Sequence, residues 1–226
     1  MNQKYALITG SSSGLGYAMA QYLLDEGLTV FGISRSGTDI EHGNFIDLLA
    51  DIRDEVSVEE LFSQIEKSTG TLDLVVLNAG VCTLDPILET STKDFQNHLD
   101  TYVLGAFHIL KHVGEFLIER QTQIVSISSL AGLRGYPNLA AFSSAKFALE
   151  GLIESCKLEW RESQIKFTTL YAGPIDTPLW DELDSEVPED SFMSIDDFIY
   201  VFDFILKAPS HVKIPKLVFH ALGDVD

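Results

Sequence analysis

Apolar runs and helical patterns alternate along the chain. Tyr5-Ala6-Leu7-Ile8 is short, apolar and soon followed by glycine, which predicts a buried strand. Residues 15–26 then read as a helix stopped by Gly27. A second strand is expected over 28–33 and a weaker third over 44–49. Residues 56–68 place Val58, Leu61, Phe62 and Ile65 on one helical side. Further strands are expected at 72–77, 124–127, 167–171 and 216–221. Two long helices are expected at 92–119 and 139–161, and a short one at 195–206. Strands this apolar, alternating with helices, predict an α/β fold: a doubly wound parallel sheet in three α/β/α layers. We expect a single domain over residues 1–226.

Composition narrows the function classes. An apolar fraction of 46% in 226 residues supports a real core and excludes a disordered chain. Fifteen Lys and Arg against 34 Asp and Glu give a net charge of −19, which argues against nucleic acid and anionic membrane as partners. No apolar run is long enough to span a bilayer, and the start Met1-Asn2-Gln3-Lys4-Tyr5 lacks a secretory pattern. The expectation is a cytoplasmic protein with Cys82 and Cys156 as reduced thiols. His108 and His112 are four apart but no third ligand joins them, so no metal is expected. From Phe167 to Leu206 there is no Lys or Arg, and three prolines punctuate a run of acids. That pattern predicts an acidic flap on the substrate side at about 176–194.

The first strand runs into Thr9-Gly10-Ser11-Ser12-Ser13-Gly14-Leu15-Gly16 and then a helix. Glycines allow a tight turn and close approach of backbone to ligand. The helix start points free N–H groups and partial positive charge at the turn, which suits a pyrophosphate. After the second strand come Ser34-Arg35-Ser36, with no acid to accept from a ribose 2′-hydroxyl. Arg35 suits a 2′-phosphate instead, so NADP(H) is favoured over NAD(H).

At this point the residues resemble a known set. Thr-Gly-x3-Gly-x-Gly at 9–16, Asp51-Ile52, Asn78-Ala79-Gly80, Ser128-Ser129, Ser143-Ser144-Ala145-Lys146 and Gly173-Pro174-Ile175-Asp176-Thr177 resemble, in order, the motifs of the short-chain dehydrogenase/reductase family. The resemblance implies a Rossmann fold. It implies that Gly10, Ser11, Ser12, Ser13, Gly14, Leu15 and Gly16 hold the cofactor phosphates. Asp51 and Ile52 would meet the adenine, and Asn78, Ala79 and Gly80 the dinucleotide from the fourth strand. Lys146 would hold the nicotinamide ribose, and Ile175 and Thr177 the nicotinamide amide. It also implies pairing through the two long helices, as a homodimer or homotetramer.

The family's chemistry uses a Ser, a Tyr, a Lys and an Asn. Here the Ser position is Ser129 and the Lys position is Lys146, but the Tyr position is Phe142 and the Asn position is Tyr102. Phe142 has no hydroxyl to donate or titrate. Three explanations stand open. The protein is an oxidoreductase on a small neutral carbonyl/alcohol pair with another proton source, for which Tyr136, Tyr102 or Lys146 acting through water are candidates. Alternatively it is a catalytically silent NADP(H)-binding protein, a redox sensor or partner-binding subunit. Or Phe142 is an introduced change, which Tyr102 counts against because two positions differ. Tyr136, Leu139, Phe142, Leu179 and Trp180 suggest an apolar pocket wall.

Overall fold

The computed structural model describes residues 3–117, 121–181, 183 and 187–223. Its seven strands are β1 (Tyr5–Thr9), β2 (Thr29–Ser34), β3 (Phe45–Leu49), β4 (Leu74–Leu77), β5 (Gln123–Ser129), β6 (Lys166–Ala172) and β7 (Lys216–Phe219). They form one sheet in the order β3-β2-β1-β4-β5-β6-β7, and every pairing is parallel. The helices are α1 (Gly14–Asp25), α2 (Glu55–Ser68), α3 (Thr92–Leu99), α4 (Gly105–Leu117), α5 (Ala140–Glu159) and α6 (Ile195–Leu206). Parallel strands need crossovers, and the helices supply them. The doubly wound three-layer architecture read from the pattern is the one observed.

The pleat explains why the central strands β1 and β4 are almost wholly apolar. Leu7, Phe31, Val75 and Ile124 point to the face covered by α2, α4 and α5. Ala6, Ile8, Val30, Val76 and Val125 point to the opposite face, under α1 and α6. Each fully buried Leu, Ile or Val contributes roughly 1.5–3 kcal/mol, so both faces hold the sheet.

One expectation needs correction. The helix expected over 92–119 is not continuous: a π-helical turn at Asp100–Leu104 separates α3 from α4. Such turns have no sequence signature of their own, and they favour functional sites. This one carries Tyr102. The flap is stitched at its base, where Asp176 and Met193 share a backbone bond and Met193 N–H reaches the Pro174 carbonyl. Trp180 packs edge-on against Phe192, 5.1 Å between centroids. Glu182, Asp184, Ser185 and Glu186, the middle of the expected flap, lie outside the described residues.

Candidate active site

The strand order reverses between β1 and β4, which opens a crevice at their carboxyl ends. Two loops are zipped together there. The Thr9 hydroxyl donates to the Val76 carbonyl and accepts from the Asn78 and Ala79 N–H groups at 2.9 and 3.0 Å. The Asn78 amide donates to the Thr9 and Gly10 carbonyls. Gly10 has φ +74°, and a Cβ there would meet Ala79 Cα at 2.8 Å. A Cβ on Gly16 would lie 1.9 Å from the Gly10 carbonyl oxygen. These positions require glycine on steric grounds alone.

The cradle has donors to spare. Asp54, Ser91 and Ser194 cap α2, α3 and α6 with their side chains, whereas Ser13 makes no such bond at the start of α1. The first-turn amides of α1 therefore remain open to an anion. Ser11 is buried with its Oγ unpartnered, Ser12 and Leu15 are half-buried, and Ser13 is exposed. Gly14, at φ +51°, faces Thr177 and Pro178 across the crevice. Thr177 and Ile175 are both buried on that far wall. Free amides, an unpartnered hydroxyl and absent Cβ atoms fit a dinucleotide pyrophosphate.

At the outer end of the crevice, the Ser34 hydroxyl accepts from Gly37 N–H and shapes the turn that carries the exposed Arg35. Asp51 is held by Arg53: Nη2 lies 2.6 Å from Oδ2 and Nε 2.9 Å from Oδ1, while Nη1 donates to Asn97. The Arg53 hydrogen bonds hold the Asp51 carboxyl below its usual range, and Arg35 adds a smaller pull in the same direction. Ile52 is buried beneath Gly105, where a Cβ would meet Ile52 Cδ1 at 2.6 Å. Sequence reasoning passed over Arg53; an arginine two residues after Asp51 was the available signal.

At the inner end, Ser129 Oγ accepts from Ala131 N–H at 3.2 Å, which leaves its own proton free to donate. Lys146 is 4% exposed, and its Nζ donates to the Ile127 carbonyl at 2.8 Å. The same Nζ lies 4.0 Å from the centre of the Tyr102 ring and 5.4 Å from that of Phe142. Burial pulls Lys146 down to about 7, with a small opposing pull from the Cys82 sulfur. Tyr102 does not present a hydroxyl to the crevice. Its OH donates to the Val81 carbonyl at 2.7 Å and accepts from Val81 N–H at 3.0 Å. It occupies the space that a Cβ on Gly80 would need, 2.4 Å away. Burial pushes the Tyr102 phenol well above its ordinary value.

The remaining groups divide by position. Phe142 meets Tyr102 edge to face at 5.6 Å. His98 lies behind both rings, fully buried: Nδ1–H donates to the Asp94 carbonyl, and Nε2 has no partner among the described residues. Cys82 follows the Asn-Ala-Gly loop, and burial pushes its thiol up to about 11. Tyr136 sits half-buried on the loop before α5, where its hydroxyl accepts from Arg134 Nε at 2.8 Å. The structure thus brings Lys146, Phe142 and Tyr102 together, places Ser129 at the end of β5, and turns the Tyr136 hydroxyl to Arg134. His108 and His112 do not converge: His108 donates to the Ile52 carbonyl and His112 stacks on Phe62. Among the described residues no helix is long and apolar enough to cross a membrane.

Comparison with known proteins places this geometry. The chain is 34% identical over 186 residues to 3-amino-tetrahydro-pyrrolizinone reductase of Xenorhabdus hominickii, covering 80% of this chain and 65% of that relative's length. It is 36% identical over 183 residues to the NADPH-dependent pterin aldehyde reductase of Arabidopsis thaliana, covering 76% and 75%. Among solved structures, an alcohol dehydrogenase from the archaeon Thermococcus sibiricus complexed with 5-hydroxy-NADP superposes with a TM-score of 0.90 at 23% identity, over 100% of this chain and 99% of that one. A Tyr-to-Phe variant of ElxO with NADPH bound gives 0.85 at 27% identity, over 96% and 97%. The family model for short chain dehydrogenases matches residues 4–188, and that span runs from β1 past the glycine-rich turn, Asp51, Ser129 and Lys146 to Pro188. The chain belongs to the short-chain dehydrogenase/reductase family.

Proposed function

We propose that the protein binds NADP(H) in the cradle and acts as an oxidoreductase on a small neutral carbonyl/alcohol pair. The observation that carries this reading is the cradle itself: residue 16 tolerates only glycine, and the amides of α1 lack a side-chain cap. Gly10 to Gly16 would hold the pyrophosphate, Lys146 the nicotinamide ribose, and Ile175 and Thr177 the nicotinamide amide. The bound cofactor supplies or accepts a hydride. Ser129, with its proton free, is suited to donate to the substrate oxygen. The preference for NADP(H) rests on Arg35, and on Arg53 neutralising Asp51, a carboxylate that would otherwise repel a 2′-phosphate. The Arabidopsis relative is an NADPH-dependent enzyme; among structural neighbours three hold NADP-type ligands and three hold NADH, so the preference is carried by the residues of this chain. An acidic lip around Asp176, Asp181, Glu189 and Asp190 disfavours anionic substrates.

A second reading has its own support. Phe142 lacks the family's phenol and the Tyr102 hydroxyl is fully engaged, so a silent NADP(H)-binding protein also fits. NADPH and NADH fluorescence titration, then a panel of neutral aldehydes and ketones with wild type and Phe142→Tyr, separates the two. Turnover by wild type supports the oxidoreductase. NADPH binding with turnover only in Phe142→Tyr supports the silent protein. No NADPH binding up to millimolar concentration refutes both. For assembly we propose a homodimer through α4 and α5. Phe107, Phe147 and Leu158 on these helices are 45–67% exposed, an apolar face that water does not suit. Sedimentation of wild type beside Phe147→Glu tests that pairing.

A further inference from the structure

The family's phenol is missing at Phe142, yet the space around Lys146 is not open. Tyr102 is stapled by its hydroxyl to both backbone groups of Val81, and the glycine at 80 makes room for that staple. The staple fixes the ring so that its face lies 4.0 Å from the Lys146 ammonium. Phe142 closes a second side at 5.4 Å, and the Ile127 carbonyl accepts one N–H. The charged and titratable groups that face this ammonium are few. The loop after β4 brings the Cys82 thiol, the π turn brings Tyr102 itself, and α3 brings His98 behind the two rings. On its own helix Glu150 is the next ionisable group, and it is turned to Lys216 at 2.6 Å. No carboxylate pairs with Lys146 among the described residues. An ammonium buried with one carbonyl partner and no carboxylate is weakly solvated and releases its proton readily, and the ring faces offset only part of that tendency.

We propose that Tyr102 is a positioning residue for Lys146: it holds the ammonium in a dry aromatic slot from which the lysine, through one water beside the Phe142 ring, supplies the proton that a phenol supplies elsewhere. This rests on the oxidoreductase reading above. In carbonyl reduction a nicotinamide supplies the hydride to carbon. One N–H bond of Lys146 breaks, the water takes that proton and passes one of its own to the substrate oxygen, and an alcohol O–H bond forms. Lys146 is left as a neutral amine and recovers its proton from solvent between turnovers. In alcohol oxidation each transfer reverses.

The ring and the slot make opposite predictions when altered. Tyr102→Leu keeps the slot apolar and removes the ring face, so the ammonium loses support and Lys146 should titrate about 0.5–1.5 pH units lower. Tyr102→Asn admits water, so Lys146 should titrate higher, towards an ordinary lysine. Tyr102→Phe keeps the ring and should leave the titration within about 0.3 pH units of wild type. The measurement is an NMR titration of Lys146 in cofactor-free protein labelled with 13C and 15N on lysine, assigned with Lys146→Met. If Tyr102→Leu does not fold, Phe142→Leu removes the other ring and should move the titration in the same downward direction. The second readout is the alkaline limb of kcat/KM for aldehyde reduction, which should follow the NMR order Leu, wild type and Phe together, then Asn. Lys146 titrating near 10 in wild type, or Tyr102→Leu and Tyr102→Asn shifting in the same direction, would overturn the slot. An alkaline limb that ignores the Lys146 titration would overturn the proton-supply role. Bound NADPH with no turnover under any condition would remove the oxidoreductase reading and the proton role with it, while the titration order still judges the slot.

Discussion

Lys146 should destabilise the cofactor-free fold at neutral pH, and Lys146→Met should reveal by how much. The ordinary lysine value is 10.5 and burial brings Lys146 to about 7. At about 1.36 kcal/mol per pH unit, the buried ammonium costs roughly 5 kcal/mol. The sign follows from proton counting. Below pH 7 both folded and unfolded chains hold the proton, and the full penalty is present. Between 7 and 10.5 the unfolded chain binds more protons than the folded one, so wild-type stability should rise with pH. Above 10.5 the penalty is gone. Methionine has similar length and no charge, so the variant lacks this rise. It also strands the Ile127 carbonyl, at about 1–3 kcal/mol, but that loss does not depend on pH. Urea melts followed by the fluorescence of Trp160 and Trp180, from pH 6 to 10 without cofactor, give both curves. All other titrating groups are shared, and the difference isolates Lys146. Parallel curves, with a gap constant within about 1 kcal/mol, would refute the buried ammonium. A cost of this size against a typical stability of about 5–15 kcal/mol is the kind retained only where a site needs it.

Three further outcomes follow from close contacts. Gly16→Ala places a methyl 1.9 Å from the Gly10 carbonyl, so the turn must open; NADPH affinity should fall at least tenfold by fluorescence titration, with a lower melting temperature. Gly80→Ala drives a methyl into the Tyr102 hydroxyl at 2.4 Å and should cost about 1–3 kcal/mol in urea melts by expelling the ring from its staple. Arg35→Ala should weaken NADPH by roughly tenfold or more, from the loss of about 1.5–3 kcal/mol of charge-assisted bonding, while leaving NADH nearly unchanged; equal losses for both would refute its contact with a 2′-phosphate.

The sheet was legible because its physics is local. Strands covered on both faces must be apolar at every position, and Leu74–Leu77 and Ala6–Ile8 are. The cradle was legible because residues that admit no side chain leave a glycine pattern that spacing alone reveals. What the sequence hid depends on contacts between distant segments. The π turn at Asp100–Leu104 adds a residue to a helical register without altering the residue types, so 92–119 reads as unbroken. It is this turn that carries Tyr102. Nothing in residue 102 alone shows whether its hydroxyl faces substrate or backbone; the answer lies in Gly80 and Val81, a distant segment on the loop after β4. Tyr136 misleads for the converse reason. It is near Phe142 in sequence, but the loop before α5 turns it towards Arg134.

A chain of net charge −19 is an unpromising partner for a cofactor that is itself an anion, and the site shows how the two coexist. Exposed charges are screened over about 8–10 Å at ordinary salt, so the acids of the lip and outer surface act weakly on a phosphate held in the crevice. In the proposed binding mode, what would act there is close at hand: Arg35 at one end, Lys146 at the other, and the uncapped amides of α1 between them. Asp51, an acid expected to face the adenine, carries its own neutraliser in Arg53 at 2.6 Å. Net charge therefore excludes partners that need an extended basic surface, such as a nucleic-acid backbone, because no such surface can be assembled from fifteen cations among 34 acids. It does not exclude a compact anion gripped by a few donors at hydrogen-bonding range. In this fold the binding of such an anion is decided by the last few ångströms.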